Sequence, residues 1–317
     1  MHTAVGLEYW PAARQDNALH IEEQETVPQP RSAMLDQKNP GFHTIGGLHR
    51  RLQASGGHPM IAFFTLAYGF SWAMLLVLYG LLGLPSALAI LLQTLGPTLA
   101  AVVVAGVLEG RAGPRRLLAR VRIWRVARGF YLFALVGIPA VTVLAAFVLP
   151  GAFVSLADQS AVRLGIEFLA FIVVGFVSGP LFEEPGWRGF ALPHLQSQMG
   201  ALRGTLLLGT LWAAWHLPQY LVPEWADQNG GLDASLVVTF LLMVVAIAPI
   251  LTWLYNRTSG SLLLVMLAHS SINAALAVFV VATSAVNVGL LAFGGLSIVL
   301  IVVTRGRLGY VPSEMNV

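Results

Sequence analysis

Three short clusters of polar and ionisable residues interrupt long apolar runs in the second half of the chain. The first, LFEEPGWRGF, contains Glu183, Glu184 and Arg188. On a helix, Glu184 and Arg188 are four residues apart and share a face. Arg188 can therefore neutralise one carboxylate and leave Glu183 free to act as a base. A solvated ion pair at the end of a helix would explain the same residues without any chemistry.

The other two clusters contain histidines. LWAAWHLPQY contains His216, and LAHSSINAAL contains His269 and Asn273 on one helical face. Each cluster alone is compatible with a structural role, because polar side chains can hold membrane helices together. Together the three clusters could supply a base, a second proton carrier and donors for an oxyanion.

Long apolar helices must position these residues. The chain has 317 residues, of which 56% are hydrophobic and 10% are charged, unlike a soluble globular protein. Eight runs are long enough to cross about 30 Å of hydrocarbon as helices. The sequence therefore predicts an all-α fold, a polytopic transmembrane helix bundle of about eight spans. The predicted spans lie near residues 61–82, 84–107, 130–150, 164–182, 202–222, 235–255, 261–282 and 285–303.

The arginine distribution predicts the orientation in the membrane. Positively charged residues collect in cytoplasmic loops, and the chain has 17 Arg and one Lys. With both termini in the cytoplasm, the arginine-rich loop between spans two and three falls on the same side as Arg257, Arg305 and Arg307. An integral protein of the cell membrane is expected. The basic face suits an anionic leaflet and requires no nucleic acid.

The absence of cysteine excludes thiol catalysis, disulfides and cysteine-ligated metal.

The hydropathy pattern predicts how deep in the membrane the first two clusters lie. It places Glu183 near the cytoplasmic end of span four and His216 deep in span five, so that the two would not meet. They reach a similar depth if span four runs on through GFALPHLQ toward Gln196.

The clusters resemble the motifs of the CAAX-protease and bacteriocin-processing family of intramembrane endopeptidases, which includes type II CAAX prenyl endopeptidases. That family shows Glu-Glu-x-x-x-Arg, then Phe-x-x-x-His, then His-x-x-x-Asn or a similar last residue. The resemblance runs from about residue 160 to 285, and Trp212 replaces the family's Phe. The matching residues, which the resemblance implies are catalytic, are Glu183, Glu184, Arg188, His216, His269 and Asn273.

The resemblance implies a role for each motif. Glu183 and His216 would activate the attacking water, and His269 with Asn273 would stabilise the tetrahedral oxyanion. The remaining Glu–Arg pair of the first motif would support the geometry. The family is often called a metalloprotease, and Glu183, His216 and His269 could form a zinc triad. A metal-free, glutamate-dependent hydrolase would use the same residues equally well, so the sequence leaves both cofactor hypotheses open.

The predicted function is therefore an intramembrane endopeptidase that acts on membrane-associated or lipidated peptides. Its expected partners are a peptide or membrane-protein substrate and the lipid bilayer. One alternative is a non-catalytic membrane protein that binds or sequesters a partner. Another is a transporter that uses the polar groups as a proton or ion path. The sequence specifies neither the substrate, prenylated or otherwise, nor the oligomeric state.

Two regions are expected along the chain. Residues 1–57 are polar and of mixed charge, and they predict a disordered cytoplasmic tail. Translation from Met34 instead of Met1 would shorten this tail. Residues 58–310 are expected to form the transmembrane peptidase-like domain.

Overall fold

A computed structural model describes residues 59–154, 160–229 and 231–311. The predicted tail, residues 1–57, and the alternative start at Met34 lie outside the described residues. The described chain is helical almost throughout. Phe153 and Val280 form an isolated antiparallel β-bridge.

Within the described ranges, seven helical stretches are long and apolar enough to cross a membrane. This finding confirms the predicted all-α, polytopic bundle. The stretches are Pro59–Leu81, Ser86–Glu109, Arg128–Val148, Ala161–Met199, Ala234–Arg257, Leu262–Phe279 and Ala282–Val303.

Several of these stretches consist of more than one helix. In chain order, the α-helices are α1 Pro59–Leu75, α2 Ser86–Gln93, α3 Leu95–Glu109, α4 Ala112–Ala119, α5 Arg128–Leu132, α6 Ile138–Val148, α7 Ala161–Ser178, α8 Pro180–Glu184, α9 Leu192–Met199, α10 Ala201–Trp215, α11 Pro223–Gln228, α12 Ala234–Arg257, α13 Leu262–Phe279 and α14 Ala285–Val303. The π-helical segments are Leu76–Leu81, Phe133–Gly137 and Pro185–Ala191, and the 3-10 segments are Arg120–Arg122, Leu217–Leu221 and Ala282–Ser284.

The run predicted as the fifth span, 202–222, forms a shorter α-helix than expected. Helix α10 ends at Trp215, and the 3-10 segment Leu217–Leu221 completes the run. Pro218 explains the change, because proline lacks an N–H and its ring clashes with the carbonyl four residues earlier in an α-helix. The 15 residues of α10 extend about 22 Å. That length is less than the hydrocarbon thickness of about 30 Å.

The fourth span is longer than the predicted 164–182 and is broken once. At Gly179 the backbone leaves the helical region, with φ −164° and ψ −69°, and the chain then continues as a helix from Pro180 to Met199. Gly200, with φ 81°, joins this segment to α10, and α9 and α10 pack against each other. The extension toward Gln196 that the two clusters required is therefore present.

Helix α13 is the most enclosed of the long helices, with buried residues along its whole length. It packs against α6, α7, α8, α12 and α14. Helix α7 is its opposite, because Leu164 is its one buried residue. The apolar side chains that α7 exposes suit contact with lipid, and they include Val162, Ile166, Leu169, Val173 and Val174. The bundle therefore has a buried centre at α13 and a lipid-facing edge at α7.

Candidate active site

The first motif lies on a short helix that restarts after the break at Gly179. Pro180 occupies the first turn of α8, where its missing N–H costs no hydrogen bond. The N–H of Glu183 donates to the carbonyl of Gly179 over 2.9 Å. A Cβ at Gly179 would lie 3.0 Å from Glu183 Oε1. The glycine thus allows the carboxylate to lie close to the main chain.

The motif continues into a fully buried π-helical segment, Pro185–Ala191. Such wide turns are rare and occur often at functional sites. Pro185 has no N–H to bond to the preceding turn, which permits the change of helical register. Helix α3 crosses this segment closely, since a Cβ at Gly186 would lie 2.5 Å from the carbonyl of Pro97. Glycine is therefore required at position 186.

Glu184 lies at the centre of a buried ionic cluster. Its Oε1 accepts a hydrogen bond from Arg188 Nη1 over 2.9 Å, as the four-residue spacing predicted. His269 Nδ1 lies 2.7 Å from the same oxygen, which joins α13 to α8. Because a carboxylate paired with arginine acts as an acceptor, His269 donates through Nδ1. The side chains of Glu184 and Arg188 are fully buried.

Glu183 has a separate partner on α10. Its Oε2 accepts a hydrogen bond from the indole Nε1 of Trp212 over 2.9 Å. Glu183 is buried, and no described residue donates a hydrogen bond to its other oxygen. The first carboxylate of the motif is therefore oriented by an aromatic residue, whereas the second is neutralised by Arg188.

The Trp212 ring also contacts Arg188 and His269. Arg188 Cζ lies 4.2 Å from the centroid of this ring, within the range of a cation–π interaction. The His269 ring meets it edge to face, with centroids 5.2 Å apart. Trp212 therefore contacts every other residue of the buried cluster except Glu184.

His216 follows the last residue of α10. Its Nδ1 lies 2.8 Å from the main-chain carbonyl of Trp212. A carbonyl can only accept, so Nδ1 carries the proton, and Nε2 of the neutral ring keeps a lone pair. The rings of Trp215, Trp225 and Phe240 surround the imidazole. This histidine is half-buried, and its Nε2 has no hydrogen-bond partner among the described residues.

Asn273 lies outside the bonded cluster. It is one turn beyond His269 on α13, about 6 Å along the axis, and it is exposed. Its side chain has no hydrogen-bond partner among the described residues. Its neighbours Ser270 and Ser271 are buried, and Ser270 Oγ donates to the carbonyl of Ile172. The amide of Asn273 is thus accessible to a bound molecule but is not fixed by another side chain.

Several buried polar atoms around the cluster have no partner in the protein. They are Glu184 Oε2, Arg188 Nε and Nη2, Trp187 Nε1 and Trp215 Nε1. Leaving a buried polar group unsatisfied costs about 1–3 kcal/mol. Each of these atoms is enclosed by the protein, so a hydrogen bond to it requires a water molecule inside the bundle. The cluster therefore contains more hydrogen-bonding atoms than the described residues pair with one another.

The zinc triad considered from the sequence does not form in this structure. No group of three or more His, Cys, Asp or Glu side chains within the described ranges is arranged to hold a metal ion. Glu183 Oε2 is bonded to Trp212 instead. Glu183, His216 and His269 therefore do not fit together as ligands of one ion, and the mechanism below contains no step at a metal.

Trp212 is the member of the site whose role was not predicted. The motif comparison indicates only an aromatic replacement for the family's phenylalanine, yet the N–H, the ring and the carbonyl of Trp212 each contact a different motif residue. A local signal was present, because Trp212 is four residues before His216 and shares its helical face. The bond to Glu183 joins residues 29 positions apart, and no spacing rule indicates it.

The described chain is thus an integral membrane helix bundle with a buried cluster of carboxylate, guanidinium, imidazole and indole groups. A family model described as type II CAAX prenyl endopeptidase Rce1-like matches residues 165–275. This segment contains all three motifs. Over these residues the chain is similar to this family, and the match agrees with the resemblance drawn from the motifs.

A curated relative is also similar to part of the chain. The chain is 32% identical over 94 residues to CAAX prenyl protease 2 of Methanococcus maripaludis. The aligned part is 29% of this chain and 34% of the relative. The chain therefore spans about a third of the length of the curated relative that it matches.

Proposed function

We propose that this protein is an intramembrane endopeptidase that hydrolyses peptide bonds of membrane-associated or lipidated peptides. The observation that carries the proposal is the environment of Glu183. This carboxylate is buried at the level of membrane-spanning helices and is oriented by Trp212, next to the Glu184–Arg188–His269 cluster. An ionisable residue at membrane depth costs roughly 2.5–3.5 kcal/mol. A catalytic role accounts for a second carboxylate that the ion pair does not need.

In the proposed reaction, Glu183 acts as the general base. It removes a proton from a water molecule as the oxygen attacks the carbon of the scissile carbonyl. The product of this step is a tetrahedral intermediate whose former carbonyl oxygen carries a negative charge. The hydrogen bond from Trp212 to one carboxylate oxygen leaves the other to receive the proton.

Collapse of the intermediate requires a proton at the leaving amine. Glu183 returns the proton that it took from water as the C–N bond breaks, so the step gives one carboxylic acid and one amine. His216 is the second proton carrier, because its Nδ1 bond to the Trp212 carbonyl leaves Nε2 to accept and release a proton.

The third motif supplies the oxyanion donors in this proposal. The exposed amide of Asn273 can donate directly. His269 already donates through Nδ1 to Glu184, so it can donate to an oxyanion through Nε2 only when the ring is protonated. The Glu184 carboxylate therefore supports catalysis indirectly, by holding His269 and by offsetting the charge of Arg188.

The similarity to the family and the position of the site both support the proposed substrate class. The name of the curated relative refers to prenylated CAAX proteins. For this chain we propose the broader class of peptides that carry a lipid or a membrane-spanning segment. Residues 58–310 would form the peptidase domain, with residues 1–57 as a cytoplasmic tail.

The direct test is cleavage of a library of membrane peptides by the purified protein. Glu183→Gln keeps the shape of the side chain and removes the base, so turnover should fall by about 10²–10⁴. The matched control is Glu167→Gln, since Glu167 is also a glutamate in the fourth span but is paired with Arg163 outside the site. Both variants should remain folded in detergent.

The outcomes separate the proposed function from its main alternative. Wild-type turnover in Glu183→Gln would show that the catalytic assignment is wrong. Binding of a peptide without cleavage, unchanged by Glu183→Gln, would favour the non-catalytic binding protein.

We also propose that the protein lies in the cell membrane with both termini in the cytoplasm, on the basis of the arginine distribution. Accessibility tags at the N-terminus, at Arg116 and at the C-terminus should then report the cytoplasm. A tag near Asp227 should report the opposite side. A cytoplasmic report at Asp227 would contradict the orientation.

A further inference from the structure

A cavity of about 610 Å³ lies where three long helices begin or end, and it contains no residue of the catalytic motifs. Its walls come from the last turn of α12, the segment after α14 and the first residue of α10. Three arginines line it, Arg257, Arg305 and Arg307, together with the aromatic residues Trp253 and Tyr310.

The charge of this cavity is not balanced within the described protein. No acidic residue is among the residues that line it. The ion pairs found within the described ranges do not include Arg257, Arg305 or Arg307. Guanidinium groups stay charged at all relevant pH values and present forked donors that match phosphate oxygens. Three of them around one cavity define a site for a phosphate-bearing anion.

The wall of the cavity that follows α14 is held in a defined conformation. Leu308 is fully buried, its N–H donates to Thr304 Oγ1 over 3.1 Å, and its carbonyl accepts from Asn256 Nδ2 over 2.9 Å. Arg305 and Leu308 adopt positive φ values of 52° and 46°. Residues other than glycine rarely adopt this conformation unless contacts impose it. Arg305 and Arg307 are therefore carried by a built turn, and Arg257 faces them from the end of α12.

The surroundings favour a lipid over a soluble anion. Val302 and Val303, directly before the turn, expose 68% and 75% of their surface on the outside of α14. Trp253 and Tyr310 belong to the residue types that concentrate at the membrane interface. An acyl chain can pack on the exposed valines while its head group reaches the arginines. A free phosphate would use only the charged part of this site.

We propose that this cavity binds the phosphate-bearing head group of an anionic phospholipid, on the side of the membrane where the arginines of the chain collect. Because the cavity contains none of the catalytic motif residues, this binding is independent of the proposed peptidase activity. Bound lipid would tie together the ends of α12 and α14 and the start of α10, and so stabilise the bundle.

The test is binding of dioleoyl-phosphatidylglycerol to the purified full chain, measured by native mass spectrometry and by thermal unfolding in detergent. Dioleoyl-phosphatidylcholine and soluble glycerol phosphate are the two comparison ligands. In the variant Arg257→Gln/Arg305→Gln/Arg307→Gln, the dissociation constant for phosphatidylglycerol should rise about fivefold for each arginine removed. The thermal protection by this lipid should fall in parallel.

The matched control is Arg122→Gln/Arg125→Gln/Arg128→Gln, which removes three exposed arginines that do not line the cavity. An equal loss in this control would show a diffuse surface-charge effect and overturn the proposal. Equal binding of phosphatidylcholine would also overturn it. Equal protection by glycerol phosphate would show a soluble-anion site and overturn the lipid assignment. If the triple variant does not fold, Arg305→Gly serves instead, because its positive φ favours glycine.

Discussion

The fourth span contains two arginine–glutamate pairs with the same four-residue spacing and very different surroundings. Arg163 and Glu167 on α7 are 2.7 Å apart, and their side chains are 66% and 36% exposed. Glu184 and Arg188 are 2.9 Å apart, and both side chains are fully buried. The Gly179 break lies between the two pairs.

The comparison shows that burial, and not spacing, decides what an ion pair does. An exposed pair typically contributes 0–1 kcal/mol, because the gain is screened and two flexible side chains must be ordered. A buried pair must recover a large desolvation cost, and it does so only with further hydrogen bonds. The buried pair has such a bond from His269 and a cation–π contact from Trp212, and the exposed pair has neither.

The largest contrast is expected when the glutamate of each pair loses its charge. Glu184→Gln removes the charge of the carboxylate that is hydrogen-bonded to the buried Arg188, so the free energy of unfolding should fall by about 3–5 kcal/mol. Glu167→Gln should lower it by less than about 1 kcal/mol. Reversible unfolding in detergent, measured alongside peptide turnover, gives both values. Equal destabilisation of the two variants would show that burial does not determine the contribution of these ion pairs.

A double variant sharpens this first prediction. Glu184→Leu/Arg188→Leu removes both charges and should recover part of the stability that Glu184→Gln loses, since apolar residues can replace a buried ion pair. Turnover should stay low, because His269 has lost its acceptor. Recovery of turnover together with stability would mean that the pair acts only as structural support.

A smaller effect, confined to turnover, is expected at the exposed end of the site. Asn273→Ala removes one oxyanion donor and should lower the rate by about 10²–10³. Unfolding should be unchanged, since Asn273 is exposed and has no hydrogen-bond partner among the described residues. Asn287→Ala, at another exposed asparagine of a membrane helix, is the control. If Asn273→Ala lowered the stability in proportion to the activity, Asn273 would have a role in helix packing and not in catalysis.

The smallest effect is expected from Trp212→Phe, which keeps the ring over Arg188 and removes the hydrogen bond to Glu183. A hydrogen bond to a charged group corresponds to a 10- to 100-fold change in turnover. The control is Trp187→Phe. It removes the same ring volume, but the N–H that it removes has no hydrogen-bond partner in the described chain. The decrease should be in kcat more than in KM. Equal losses in the two variants would mean that the hydrogen bond does not matter.

The helices and the local pairs could be predicted from the sequence. Long apolar runs define the spans, and the Glu184–Arg188 spacing defines the buried pair, because both signals are local. Two features of the backbone are indicated by glycine and proline residues, which a hydropathy profile does not take into account. Pro218 ends α10 early, and the Gly179–Pro180 step interrupts the fourth span.

The assembly of the site could not be predicted, because it depends on contacts between distant residues. The Glu184–His269 contact joins positions 85 residues apart, and the exposure of Asn273 depends on which helices pack beside α13. The family motifs predicted a set of site residues, and both their membership of an active site and their roles stay predictions. The motifs did not indicate that Glu183 is bonded to the one residue that departs from the family pattern, Trp212.

Trp212 positions Glu183 with its side chain and His216 with its main chain. These two contacts differ in their tolerance to mutation. Almost any residue at 212 offers the same carbonyl, so the tautomer of His216 is robust to changes in the codon. The bond to Glu183 depends on an indole, and tryptophan has a single codon, so each single-nucleotide missense change there removes it. A substitution at position 212 should therefore disturb the orientation of the proposed base while that of the histidine is preserved.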